Sequence, residues 1–90
     1  MTRRITGYQY VVVCPAIMGS VDDWRTVYSS DGKPFQTRVA AVNHGWSVYG
    51  HDDWLLAVIH KGRVVCSAWM DEDRDEPEER KAMAQLLGLR

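Results

Sequence analysis

Apolar positions along the chain follow two rhythms, short unbroken runs and wider stripes. YQYVVVC, from Tyr8 to Cys14, is an aromatic and β-branched run and predicts a strand. Its three consecutive valines put apolar side chains on both faces, the pattern of a central strand. Pro15 ends it or marks an edge, because proline cannot donate to a ladder. Residues 20–28, SVDDWRTVY, fit two templates. Ser20 with Asp23 suits a helix N-terminus, and Val21, Trp24 and Val27 have helical spacing. Trp24, Thr26 and Tyr28 instead alternate among strand formers, and we expect a strand from about Trp24 to Ser29. SSDGKP, Ser29 to Pro34, has the composition of a turn.

A wider stripe follows. Phe35, Val39, Val42, Trp46 and Tyr49 fall on one side of a helical wheel and predict an amphipathic helix. Thr37 is its expected N-cap and Gly50 its expected C′ residue. Gly45 costs such a helix about 1 kcal/mol. WLLAVIHKGRVVCSAWM predicts a hairpin, Trp54 to His60 against Arg63 to Met70, with Gly62 supplying a positive φ at the turn. DEPEERKAMAQLLGL predicts a closing helix. Pro77 suits its first turn, the surrounding carboxylates suit its positive end, and Gly88 stops it. Ala82, Met83, Leu86 and Leu87 form its expected buried stripe.

The order is β-β-α-β-β-α. The economical architecture is an α+β two-layer sandwich, a four-stranded, largely antiparallel sheet with both helices on one face. Ninety residues make a single domain, 1–90, with 1–6 as a loose basic arm and 71–76 as an acidic linker. A domain this small has a thin core, and a homodimer is one way to cover surplus apolar surface.

Net charge is −1, too small for a global field toward nucleic acid or anionic lipid. It is unevenly spread: residues 1–70 carry a net +2 and residues 71–90 a net −3. The acidic run MDEDRDEPEE, Met70 to Glu79, either engages a basic partner or serves the helix it precedes, and the dipole account explains its position. Cys14 and Cys66 sit in apolar runs without CxxC or zinc-ligand spacing, which reads as free thiols in a reducing cytosol. A disulfide would need neighbouring strands, with Cα atoms within about 7 Å. No secretory signal and no membrane span is visible, so the expected location is cytoplasmic.

Candidate chemistry centres on NHGWSVYGHDDW, Asn43 to Trp54. His44, His51, Asp52 and Asp53 are residue types that ligate metals or share protons. Gly45 and Gly50 interrupt the helix that would align the two histidines, and no HExxH spacing is present. The segment therefore reads as a helix end passing into a hairpin, with no metal and no cofactor expected. GxSxG, GxGxxG and GxxxxGK are also missing from the sequence. His60, beside Lys61 and Arg63, reads as a solvated hairpin tip. A sheet face showing Tyr8, Tyr10, Trp24 and Tyr28 would be able to stack bases, with Thr2, Arg3 and Arg4 on the phosphate backbone.

The stretch TRVAAVNHGWSVYGHDDWLLAVIHKGRVV resembles a pattern in short uncharacterised proteins of actinobacteria and their phages. The matching positions are Thr37, Arg38, Ala40, Ala41, His44, Gly45, Gly50, Asp52, Asp53 and Trp54. The resemblance transfers no catalytic residue and implies a cytoplasmic accessory protein of bacterial or phage origin. The expected function is a small non-catalytic interaction or regulatory protein. Its candidate surface is Tyr8, Tyr10, Trp24, Tyr28, His44, His51, Asp52 and Asp53, and its partner is a protein or a second copy. The alternatives are a nucleic-acid-binding accessory protein using the aromatic sheet face, and a minimal hydrolase using His44, His51 and Asp53.

Overall fold

A computed structural model describes residues 7–15, 23–71 and 75–89. The basic arm, residues 20–22 of the ambiguous segment, and residues 72–74 of the acidic linker lie outside the described residues. The elements are β1 (Tyr8–Cys14), β2 (Arg25–Val27), α1 (Arg38–Val48), β3 (Leu55–His60), β4 (Arg63–Trp69) and α2 (Pro77–Leu86). The four strands form one sheet in the order β2-β1-β3-β4, and every neighbouring pair is antiparallel. The α+β class, the element order and the strand reading of residues 25–27 are as expected.

The helices do not share a face. Val12 and Leu56 oppose each other in register and pack with Ala41 of α1. Val11, Val13, Leu55, Ala57 and Ile59 point the other way and pack with Met83 of α2. Successive strand residues alternate sides. The two clusters therefore occupy opposite faces, giving three layers with the sheet in the middle. The cause is visible in β1: all three valines are fully buried, and a sheet buried on both sides needs cover on both. The two-layer expectation is corrected accordingly.

Local chemistry fixes the ends of the elements. Thr37 caps α1, its hydroxyl accepting from the Ala40 N–H at 3.2 Å. Pro77 opens α2, where it removes no needed donor. Gly88, at φ 72°, closes α2 with a Schellman pair, Leu89 N–H to the Ala84 carbonyl and Gly88 N–H to the Gln85 carbonyl. The β3–β4 hairpin turns on Lys61 and Gly62, both at positive φ (52° and 76°), the requirement of a type I′ turn. A bulge follows, since Ile59 pairs with Val64 while Val58 pairs with Cys66.

Ser29 to Lys33 leaves the sheet and returns, closed by the Ser29 N–H to the Lys33 carbonyl at 2.9 Å. Asp31 braces the excursion by accepting from the Ser29 hydroxyl and the Lys33 N–H. Phe35 then takes the next place beside β1, exchanging both backbone bonds with Tyr10. Its ring is buried under α1. The excursion thus delivers the chain to the start of α1 on the correct face.

Candidate functional site

The segment from Asn43 to Trp54 is built around an indole. α1 runs unbroken through Gly45, so the expected cost of that glycine is offset by something local. Trp54 is fully buried, and its ring lies against Gly45, where a Cβ would overlap the six-membered ring. Trp54 Nε1–H donates to the His51 carbonyl at 2.8 Å. The Asp53 N–H donates to His51 Nδ1 at 3.1 Å. His51 therefore braces the turn between α1 and β3 through both its backbone and its ring. Its ring also tilts against Tyr49, with centroids 5.7 Å apart.

The remaining candidates in this stretch have separate surroundings. His44 packs on Phe35 at 5.3 Å. Asp52 and Asp53 are exposed, and the contact between Asp53 and His51 runs through a backbone N–H, not the carboxylate. Among the described residues no three His, Cys, Asp or Glu side chains gather as a metal-holding set. His60 stacks on Tyr8 at 4.6 Å and 27°, across the β1–β3 pairing.

The four aromatic candidates divide between the faces. Tyr8 and Tyr10 share the Val12 side of β1, and Tyr10 packs with the α1 cluster. Trp24 and Tyr28 pack with Val11, Val13 and Met83 under α2. They do not form one platform. Cys14 and Cys66 are half-buried and not joined by a disulfide, on strands separated by β3. Burial pushes the Cys14 thiol up; Arg25 opposes this and Asp53 adds to it.

The acidic segment turns inward at two points that the sequence did not reveal. Ser67, on β4, is the buried polar residue among the described ones. Its N–H and hydroxyl meet Asp75 Oδ1 at 2.9 and 3.1 Å. The same hydroxyl lies 3.2 Å from Glu79 Oε1 and accepts the Glu76 N–H at 3.3 Å. Trp69 Nε1–H donates to Glu79 Oε1 at 2.9 Å. Arg80 pairs with the other Asp75 oxygen. The Ser67 N–H holds the Asp75 carboxyl below its usual range, burial opposes that, and Arg80 reinforces it. A lone serine among valines gave no sequence signal for this anchor.

Two apolar surfaces stand out among the described residues. A groove of about 260 Å³ lies over Val11 and Ile59, walled by Tyr28, Pro34, Leu87 and Leu89. Among the described residues its lining holds no acid and no histidine. The other surface is the outer flank of α1. The buried side of α1 is Ala41 and Gly45, with Val42 and Tyr49 half-buried. Val39 is 69 % exposed and Trp46 46 % exposed. The stripe Val39, Val42, Trp46, Tyr49 is thus turned sideways: its inner edge reaches the core and its outer edge meets solvent. The sheet takes the small residues because the Trp54 indole needs the space over Gly45.

Among the described residues no helix is long and apolar enough to cross a membrane. No family model, no curated protein and no solved structure matches the chain.

Proposed function

We propose that the protein is a small non-catalytic interaction module, a cytoplasmic accessory protein of bacterial or phage origin, that contacts a polypeptide through the outer flank of α1. One observation carries this reading. The apolar stripe of α1 is only partly consumed by the fold: Val42 and Tyr49 pack inward, while Val39 and the outer part of Trp46, whose ring meets Trp54 edge-on, are left exposed on the same side of the helix. Exposed single apolar residues are ordinary, but an exposed tryptophan two turns from an exposed valine is a helix face shaped for contact. Tryptophan is also the residue type most enriched among contact anchors. His44 packs on Phe35 while His51 braces the turn before β3, and this separation of the two imidazoles favours binding over catalysis.

The test is a photoreactive phenylalanine analogue in place of Trp46, irradiated in the cells that make the protein. The expected result is a covalent adduct to a polypeptide, lost when Val39→Glu is added. A folded protein that yields no adduct overturns the reading.

A further inference from the structure

We infer that the partner seated on the α1 flank is a second copy of this chain, its α1 antiparallel to the first. This deepens the reading above and rests on it. Val39, Val42 and Trp46 are spaced three and four apart, the a-d-a rhythm of a helix-pairing seam. Seven residues separate Val39 from Trp46, about 10 Å along the axis. A two-fold axis passing between Val42 and Asn43 places the small Val39 side chain against the partner's Trp46, and the reverse. The pairing is self-complementary in size, as an isologous contact requires.

Charge agrees with the same partner. From Arg38 to Val48 the helix carries no acidic residue and a single cation, Arg38, at its N-terminal end. Antiparallel pairing keeps the two Arg38 side chains at opposite ends. Each approaches the C-terminal end of the other helix, whose carbonyls carry partial negative charge and beyond which Asp52 and Asp53 are exposed. Parallel pairing would bring the two cations together. The seam is short, and its one large exposed ring offers roughly half of the 150–250 Å² of an indole. Such a patch is well below the ~800 Å² per partner of a stable complex, so the dimer is weak and concentration-dependent.

Sedimentation from about 10 µM to about 1 mM reads the association directly. The expected mass doubles across that range and stays monomeric in Trp46→Glu. Val39→Glu, at a site 69 % exposed, gives the same loss without touching the Trp46–Trp54 contact. In a background with Cys14→Ser and Cys66→Ser, oxidation should join two chains of Asn43→Cys, whose Cα atoms meet near the axis. Val39→Cys should stay unjoined, because its two copies sit about 10 Å apart along the helices, beyond disulfide reach. A monomer throughout, a dimer that survives Val39→Glu, or joining at 39 in preference to 43 overturns the inference. If residue 46 still photolabels a different polypeptide, the interaction reading stands without the dimer. If it labels nothing, both fall.

Discussion

The indole of Trp54 occupies the space that a side chain at Gly45 would fill. The relationship joins the middle of α1 to the residue that begins the β3–β4 hairpin. It also reverses the ordinary sign of a helix substitution. Gly45→Ala should gain up to about 1 kcal/mol in helix propensity. The added methyl, however, must displace a fully buried ring held by its own hydrogen bond to His51. Overpacking of that kind costs about 1–3 kcal/mol. The expected outcome is net destabilisation, read as a lower urea midpoint with an unchanged m-value. An unchanged or higher midpoint would show that Trp54 can move aside.

The Ser67 anchor gives a second prediction. Ser67→Ala leaves the Glu76 N–H without its acceptor and removes the one hydroxyl donor shared by Asp75 Oδ1 and Glu79 Oε1, which keep the Ser67 N–H and the Trp69 Nε1–H. Unsatisfied groups of this kind cost about 1–3 kcal/mol, and the loss should appear as faster amide exchange through α2 before it appears in β1. The pH dependence has a definite sign. Asp75 titrates lower in the folded state than in the unfolded chain. Its contribution is therefore present above the ordinary aspartate value near 4 and is lost as pH falls through the lower folded value. Asp75→Asn should flatten the acid limb of the stability curve in that window. A curve parallel to the native one would sink this account.

Much of this architecture was legible in the sequence, for reasons that differ by residue. Thr37, Pro77, Gly62 and Gly88 act locally, through caps and φ angles, so a linear reading finds them. The valine triplet in β1 announced cover on both faces. Economy of layers argued against it and was the weaker guide. Gly45 was legible only as a defect, because its value depends on a ring nine residues away in sequence. Ser67 was invisible, since a buried hydroxyl has meaning only once Asp75 and Glu79 are brought to it. The α1 stripe is visible in the sequence as a pattern, while the side of it that packs depends on Trp54 lying over Gly45.

The thiols should stay reduced and slow. β3 lies between the strands that carry Cys14 and Cys66, so no intramolecular disulfide forms without unfolding. Burial holds the Cys14 thiol protonated to higher pH than an open cysteine. Alkylation of the native protein near pH 8 should therefore be slower at Cys14 than in a short peptide around it, and should reach the peptide rate in denaturant. Mass spectrometry of the two alkylated positions checks both points. Rapid native labelling of Cys14 would contradict its burial, and a recovered Cys14–Cys66 bridge would contradict the strand order.

Lys61 offers the opposite kind of change, one that should stabilise. It sits at φ 52°, in the left-handed region, where a long side chain has no compensating local hydrogen bond. Asparagine tolerates that region better, and Asn-Gly is the favoured pair for a type I′ turn. Lys61 is exposed at the tip, so its replacement removes no buried contact. Lys61→Asn should raise stability by about 0.5–1 kcal/mol, chiefly by relieving the turn, on the scale of other backbone-compatible loop substitutions. The gain should vanish in Lys61→Val, whose β-branch opposes positive φ. Thermal midpoints of the three proteins decide the matter. Equal midpoints for Asn and Val would mean that the bulge beside Val65, and not the turn, sets the register of this hairpin.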